Sequence, residues 1–398
     1  MLKSVFQARS MLLGSASVQL ESNDPSVVAR IDLLFDGLMD AEQFRPGEDL
    51  ICSVDLIGSS PQETRSNDRL YELRINDELV DSAMGLAQIE LRLTRLINEH
   101  KLESEPHRLH LHSAGLARGS EAVFLLGQSG SGKSTLTAAL VERGWRYITD
   151  EQITIRQSDL TVIPYPRPLT LRRDVWPLFS HLPSVQVAMP MPHLNRVEIP
   201  PSEFAPVSRG GEFSPTMIVT PTYIADAPAG IEPLGDCASA VALLSSCCYD
   251  SDRTAESGFQ TLVALAQRCP SWQLQYSNFD DASGQIARAF DLAPPDQRVS
   301  ARHTVADAEN HAGQGFTCHA PGVETWSFGD GSSVALNPAT MMMASLSEAE
   351  ARMWELLDQP WPVAELLAEL TDESERARLR NWLEVLGQHG LLIEPHLP

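Results

Sequence analysis

The sequence predicts an α/β protein in which a central α/β segment lies between an α+β N-terminal module and a small winged-helix-like C-terminal domain. Three observations predict this class. Alternating strand patterns and one amphipathic helix occupy the chain up to residue 104. A glycine-rich loop near residue 130 stands between an apolar run and a helical pattern. A pair of short strands precedes three helical patterns after residue 316.

The composition is that of an ordinary globular protein and excludes several partners. With 398 residues the chain is long enough for two or three domains. The net charge of −23 opposes binding to nucleic acids or to anionic membranes, because both need clustered positive charge. The six cysteines show no C-x-x-C spacing, so neither a zinc site nor a disulfide framework is expected. No apolar run approaches the ~20 residues of a spanning helix. The sequence therefore predicts a cytoplasmic location.

The N-terminal module is predicted to cover residues 1–104. Alternation of apolar and polar residues predicts three strands, at residues 17–21, 51–56 and 70–75. Apolar residues at helical spacing predict an amphipathic helix from Leu86 to Ile97. No residue pattern in this module indicates a catalytic or ligand-binding role.

The central segment, residues 105–291, is predicted to bind a nucleotide because it contains a complete G-x-x-x-x-G-K-S phosphate-binding loop. The loop follows an apolar run and opens into a helical pattern, which is the context that the motif needs. Its backbone N–H groups would surround phosphate oxygens, with added positive potential from the helix dipole. Lys133 would reach the β- and γ-phosphates, and the Ser134 hydroxyl would hold Mg²⁺. The predicted cofactor-binding residues of the loop are Gly127, Gln128, Ser129, Gly130, Ser131, Gly132, Lys133, Ser134 and Thr135.

The identity of residue 133 argues against the alternative of a glycine-rich turn that binds nothing. The chain has three lysines, Lys3, Lys101 and Lys133, among its 30 basic residues. A lysine at the motif position is therefore unexpected from composition alone. The predicted cofactors are ATP and Mg²⁺.

An acidic pair follows the loop. Residues 145–149 are predicted to form a short strand, and Asp150 and Glu151 come directly after it. If that strand were the parallel neighbour of the strand before the loop, the pair would lie beside Mg²⁺. Asp150 would then be a metal ligand, and Glu151 the base for an attacking hydroxyl. The alternative is a solvated turn, but the strand that leads into the pair favours a functional role.

Phosphoryl transfer also needs positive charge near the transferred group. Residues 161–211 contain five arginines and three acids in an otherwise acidic chain. Arg167 and Arg172 are the candidates, and we assign Arg172 to the cofactor site. Arg209-Gly210-Gly211 is typical of a mobile loop that could cover the substrate. The alternative for all of these arginines is a solvated face.

The remaining chain is predicted to be a linker at residues 292–315 and a C-terminal domain at residues 316–398. Short strands are predicted at 325–328 and 333–336. Three helical patterns follow, the first after a capping box that starts at Ser347. Two strands with three helices predict a winged-helix-like domain. The alternative is a small helical domain that dimerises or only stabilises the chain.

Residues 112–156 combine His112, the loop and the run Val141–Glu151, in which an Arg-Gly-x-Arg step precedes the acidic pair. This pattern resembles the HPr kinase/phosphorylase group of bacterial serine kinases and its HPr-kinase-related branch. The resemblance implies a PEP-carboxykinase-like P-loop nucleotide core and a homo-oligomer. It also implies that His112 is an active-site residue and that Glu151 is at the position of the family's proton-accepting aspartate.

Two departures from that family limit what the resemblance implies. A glutamate stands at position 151 where the family has an aspartate, and the family's downstream Glu-Ile-Arg-Gly signature has no clear counterpart. We therefore do not expect this chain to share the family's reverse phosphorolysis or its substrate, the phosphocarrier protein HPr.

Residues 322–393 show a second, less specific pattern of a strand pair, Leu336-Asn337-Pro338, Trp354-Glu355-Leu356-Leu357 and the closing Leu386–Leu392. It resembles the PqqD-type peptide-recognition domain of ribosomal-peptide maturation systems. The resemblance implies capture of a peptide at a strand edge.

Together these patterns predict an ATP- and Mg²⁺-dependent kinase for a serine or threonine hydroxyl of a peptide or small protein, in ribosomal-peptide maturation. The predicted catalytic residues are Glu151, Asp150, His112 and Lys133, and the predicted metal ligands are Ser134 and Asp150. Two alternatives stay open. One is a kinase of small metabolites, and the other is an ATP-binding regulatory or adaptor protein without phosphotransfer. The acidic pair favours the enzymes, because a protein that only binds ATP needs no base.

Overall fold

The computed structural model has a mixed α/β fold with parallel and antiparallel sheets. It describes residues 7–13, 16–38, 50–59, 69–128, 130–203, 211–249, 256–292, 299–304 and 316–393. The chain divides into two compact units, Met1–Ser214 and Pro215–Pro398. This division falls inside the segment predicted to bind a nucleotide. The domain limits drawn from the sequence stay a prediction.

The first unit begins with five strands and two helices. These elements are β1 (Gln7–Leu13), β2 (Ala16–Ser22), α1 (Pro25–Leu34), β3 (Leu50–Ser59), β4 (Arg69–Ile75), β5 (Glu78–Met84) and α2 (Leu86–Glu103). The strands form one sheet in chain order, with β2 and β3 parallel and the other neighbours antiparallel. The sequence patterns predicted β2, β3, β4 and α2 but missed β1, β5 and α1.

A buried apolar cluster holds the two helices against this sheet. The buried residues of α1 include Val27, Ile31 and Leu34, which recur at helical spacing. Ile89, Leu93 and Ile97 of α2 belong to the same cluster. The same cluster includes Tyr165, so this core extends into the following segment of the first unit.

The rest of the first unit contains the predicted loop and acidic pair. Its elements are β6 (Arg108–His112), β7 (Ala114–Arg118), β8 (Glu121–Leu125), α3 (Lys133–Glu142), β9 (Arg146–Thr149), β10 (Gln152–Arg156), β11 (Val162–Ile163), β12 (Leu169–Arg172), α4 (Pro183–Ala188) and β13 (Arg196–Ile199). Strand β10 pairs with β6 and β11, and β12 pairs with β13, all antiparallel. A 3₁₀ helix, Arg173–Phe179, follows β12.

The strand before the loop and the strand before the acidic pair are not neighbours, contrary to the expectation from sequence. Strand β7 lies between β8 and β9 and is antiparallel to both. Since β8 and β9 therefore run in the same direction, their carboxyl ends lie at the same edge of the sheet. That edge is where the loop and Asp150 both begin.

Among its described residues, the second unit has a further three strands and three helices ahead of the C-terminal segment. They are β14 (Ser214–Tyr223), β15 (Gly230–Pro233), α5 (Cys237–Cys247), α6 (Glu256–Arg268), β16 (Ser271–Tyr276) and α7 (Phe279–Ala289). Strand β16 is parallel to β14 and antiparallel to β15.

The C-terminal segment consists of short strands and three helices. They are β17 (Val299–Thr304), β18 (Phe316–Thr317), β19 (Glu324–Phe328), β20 (Ser333–Asn337), β21 (Met342–Leu346), α8 (Glu348–Leu356), β22 (Trp361–Pro362), α9 (Val363–Ala368) and α10 (Glu373–Gln388). Strands β17, β19, β20 and β21 form an antiparallel sheet in that order. Residues 299–304, which the sequence placed in a linker, are the edge strand of this sheet. Their polar composition gave no strand pattern. An edge strand can still form from such residues, because it pairs on one side only.

The capping box predicted at the start of α8 is present. The Ser347 hydroxyl accepts from the Glu350 amide, and the Glu350 carboxylate accepts from the Ser347 amide. Trp354 of α8 is buried in the core of the segment and donates to the Thr325 hydroxyl. Within the ranges described, no helix combines the length and apolar composition that crossing a membrane requires.

Candidate functional site

The loop between β8 and α3 adopts a backbone that its glycines permit. Gly130 and Gly132 have φ values of 88° and 89°, in the left-handed region that other residues rarely adopt. Gly132 is the N-cap of α3 and supplies no side-chain hydrogen bond to the helix. The first turn of such a helix points its N–H groups and positive dipole end into the loop. Ser129, which was predicted to bind the cofactor, lies outside the described residues.

The side chain of Lys133 folds back onto the loop. Its Nζ donates to the carbonyl oxygens of Gly127, at 2.5 Å, and Gln128, at 3.1 Å. The hydroxyl of Ser131 is buried without a hydrogen-bond partner in the described part of the chain. Carbonyl oxygens carry only partial charge, so a phosphate would be a stronger partner for this ammonium group.

Asp150 lies within hydrogen-bonding reach of the first turn of α3. Burial raises the pKa of Asp150 to about 7, which outweighs the hydrogen bonds from the Ser134 hydroxyl and the Thr170 amide that lower it. The charge of Glu151 raises this pKa further, and the charge of Lys133 lowers it. Its Oδ1 is buried and has no hydrogen-bond partner among the described residues. The two predicted metal ligands, Ser134 and Asp150, are therefore brought together.

His112 and Glu151 lie on adjacent backbone segments at the same edge. His112 is directly opposite Gln152 in the β6–β10 pair, and the amide of Ser113 donates to the Glu151 carbonyl at 3.1 Å. The side chains of His112 and Glu151 are both exposed. The geometry leaves both accessible to a substrate that approaches this edge.

The neighbouring His110 is unsuited to proton transfer. It is buried beside the ion pair of Lys101 and Glu105, whose Nζ–Oε2 distance is 3.0 Å. Burial lowers the pKa of His110 to about 2, and the charges of Lys101 and Arg108 lower it further. His110 is thus neutral and part of the core, which is consistent with the choice of His112.

The three neighbouring arginines have different surroundings. Arg173 donates to backbone carbonyls, including those of Met191 and Leu194, and lies over the Trp176 ring, so it organises its own segment. Arg167 is only 5% exposed, and its Nε has no hydrogen-bond partner in the described chain. Arg172 is exposed at the end of β12, two residues after Thr170.

The oxygen atoms of Ser134 and Asp150 fit Mg²⁺, which prefers oxygen ligands and demands few of them from the protein. The partnerless Oδ1 of Asp150 gives this carboxylate an open coordination position. No group of three or more His, Cys, Asp or Glu side chains that could hold a metal occurs within the described ranges. Ser134 and Asp150 would supply two ligands, and phosphate oxygens and water would complete the shell, as is usual for Mg²⁺.

One contributor to this site could not be identified from the sequence. The Thr170 amide reaches Asp150 from strand β12, which the sequence patterns did not predict. Arg167, which the sequence had named as a candidate, is buried next to the ring of Phe35, 4.8 Å from its centroid, and interacts electrostatically with Glu151.

No protein-family profile matches the chain, and no curated protein matches it. A solved structure of the Hpr(Ser) kinase/phosphatase from Coxiella burnetii is similar over 45% of this chain and 95% of its own, with 12% sequence identity and a TM-score of 0.20. Similarity at that TM-score does not establish a common fold. The structure itself defines a mixed α/β protein. Its candidate site, at one sheet edge, combines a glycine-rich loop with the oxygen atoms of Ser134 and Asp150.

Proposed function

We propose that the chain is an ATP- and Mg²⁺-dependent kinase that phosphorylates a hydroxyl group. One observation carries the proposal, namely the Asp150 carboxylate beside Ser134, at the start of a helix that opens from a glycine-rich loop; its Oδ1 has no hydrogen-bond partner among the described residues. Phosphoryl transfer needs a phosphate cradle, a metal-binding carboxylate and a group that accepts the hydroxyl proton. All three have candidates at this edge.

Each residue has a role that its surroundings support. Lys133 and the first-turn amides of α3 would bind the phosphates, and Ser134 and Asp150 would hold Mg²⁺. The bound Mg²⁺ would neutralise charge on the phosphate oxygens. Glu151, which is exposed and close to His112, would accept the proton of the attacking hydroxyl.

The finer parts of the proposal concern the core and the acceptor. We propose that the core is PEP-carboxykinase-like, of the HPr-kinase-related kind, and that the acceptor is a serine or threonine of a peptide or small protein. The C-terminal segment supports a peptide acceptor because its sheet has β17 and β21 at its edges. An extended peptide can add to such an edge. In β21 the side chain of Met342 is 40% exposed.

The direct test is transfer of labelled γ-phosphate from ATP to peptides and small proteins encoded beside the gene. We expect Mg²⁺-dependent labelling of one of them by the wild-type chain. The isosteric Glu151→Gln should abolish it, whereas Glu121→Gln, which removes an exposed carboxylate at the start of β8, should not. Labelling that survives Glu151→Gln unchanged would contradict the assigned base. Tight ATP binding without transfer to any of these acceptors would point instead to a regulatory ATP-binding protein.

A further inference from the structure

Two arginines face each other at one end of the β12–β13 pair. Arg172 is directly opposite Arg196 in the antiparallel register, and both residues are exposed. Residues directly opposite each other on such strands lie about 5 Å apart at Cα and project from the same face. Two like charges in this position destabilise the strand pair. The fold therefore maintains a local concentration of positive charge.

No carboxylate in the described part of the chain relieves this repulsion. Neither guanidinium has a carboxylate partner among the described residues, although the chain has 53 acidic residues against 30 basic ones. Glu198, two residues after Arg196 on the same strand, forms its ion pair with Arg30 instead. In a chain with a net charge of −23, composition favours a nearby carboxylate for each arginine, so this arginine pair is unexpected.

The pair is close to the candidate site. Thr170, whose amide contacts Asp150, precedes Arg172 by two residues on β12, which is about 7 Å along an extended strand. The phosphates of a nucleotide already have Lys133 and the first turn of α3 as partners. An anion at Arg172 and Arg196 would therefore come from the other reactant.

We propose that Arg172 and Arg196 form a subsite for an anionic group of the phosphoryl acceptor, a carboxylate or a phosphate ester near the hydroxyl that is phosphorylated. This inference rests on the proposed kinase function. Two guanidinium forks can bind one such anion through paired N–H donors, and the anion cancels the repulsion between them. The distance of about 7 Å along β12 from Thr170 to Arg172 corresponds to roughly two residues of extended peptide.

The first test uses inorganic phosphate as the probe and needs no acceptor. Thermal unfolding of the full chain is followed during a phosphate titration at constant ionic strength, with saturating ADP and Mg²⁺ to fill the loop. We expect a saturable rise in Tm for the wild type. Arg172→Gln and Arg196→Gln should each weaken the phosphate affinity by about tenfold, and the double variant should abolish the response. Arg378→Gln, which removes a surface arginine from α10, is the control for the loss of one positive charge and should respond as the wild type does.

The Tm in phosphate-free buffer shows whether the two arginines bind an anion or instead stabilise the fold. Since the two charges repel, Arg172→Gln and Arg196→Gln should leave the Tm in phosphate-free buffer unchanged or raise it. A phosphate response that is the same in the wild type and the double variant overturns the proposal. A fall of several degrees in phosphate-free Tm does so as well, because it assigns the pair a structural role.

The second test links the subsite to the acceptor. With an acceptor peptide in hand, Arg196→Gln should raise the KM for the peptide about tenfold and leave the KM for ATP and the kcat nearly unchanged. A rise in the KM for ATP alone overturns the assignment to the acceptor, because the pair then binds a nucleotide phosphate. If phosphate binding depends on the pair but no phosphoryl transfer is found, the anion site stands and the kinase function fails.

Discussion

Two aspartates of the first unit, Asp24 at the N-terminal sheet and Asp150 at the central one, occupy opposite kinds of environment. Asp24 is 2% exposed and accepts hydrogen bonds from the amide and hydroxyl of Ser26, from Arg69 at 2.7 Å and from Tyr71 at 2.8 Å. Burial alone would raise the pKa of Asp24, but these donors outweigh it and hold the pKa at about 2. At Asp150 burial dominates, and the pKa is about 7.

The two carboxylates differ in the source of their hydrogen-bond donors. Asp24 caps α1 and links it to β4, so the chain itself supplies the donors to its charge. Asp150 has a buried oxygen without a partner among the described residues, which costs stability unless another group binds it. A divalent cation is the natural complement of such an oxygen. The contrast between a satisfied and an unsatisfied carboxylate is therefore the main physical support for a site at Asp150.

The largest expected effect is the loss of phosphoryl transfer in Asp150→Asn. Removing the proposed metal ligand should lower kcat by about a thousandfold or more, in the range of a lost electrostatic contact in a transition state. Asp24→Asn makes the same chemical change at the other carboxylate and should keep kcat within about threefold in the folded fraction. Steady-state kinetics at pH 7.5 or so with saturating Mg²⁺ would measure both. Equal losses of kcat in the two variants would contradict a special role of Asp150 in phosphoryl transfer.

The next effect concerns Glu151, the proposed proton acceptor. Glu151→Gln should lower kcat by about 10²- to 10⁴-fold, the usual contribution of a general base, with ATP affinity retained. His112→Asn should have a smaller effect, because His112 lies beside the base rather than in its place. Measurement of nucleotide binding by calorimetry checks that the loop is intact. A Glu151→Gln enzyme that also fails to bind ATP would assign Glu151 to binding instead.

The sequence was sufficient for the features that depend on local order. The loop motif, the helix after it and the acidic pair at Asp150 are contiguous patterns, and the capping box at Ser347 is set by residues three apart. Each of these is decided by backbone groups within one or two turns, so no knowledge of distant pairing was needed.

The sequence was not sufficient for the features that depend on pairing between distant segments. Strand β7 inserts between β8 and β9, and the Thr170 amide reaches Asp150 from twenty residues further on. The donors to Asp24 come from Arg69 and Tyr71, 45 and 47 residues away. Strand order is decided by how whole faces pack, and alternation along one strand does not identify its neighbours.

A smaller effect is expected on the stability of the N-terminal sheet. Asp24→Asn should lower the free energy of unfolding at pH 7 by about 2–3 kcal/mol, because charged hydrogen bonds in a buried site are lost. With a folded pKa of about 2 against an ordinary 3.8, the contribution of Asp24 is complete above the ordinary value and is lost as pH falls through about 2. Urea titrations from pH 7 to pH 2 should therefore show the difference between wild type and variant shrinking. Asp32→Asn, at an exposed pair with Arg9, is the control and should cost less than about 1 kcal/mol.

The smallest effect, and the sharpest test of the contrast, is the pH dependence of stability at Asp150. Its pKa is raised from 3.8 to about 7, so the folded state favours the protonated form, and stability is lost as pH rises between these values. Asp150→Asn, which mimics that form, should therefore unfold a few degrees above the wild type at pH 8 and at nearly the same temperature at pH 4. Mg²⁺ with ADP should raise the Tm of the wild type at pH 8 but have little effect on the variant. A variant less stable than the wild type at pH 8 without ligand would show that Asp150, like Asp24, is satisfied by its own chain, and the case for a metal site there would be lost.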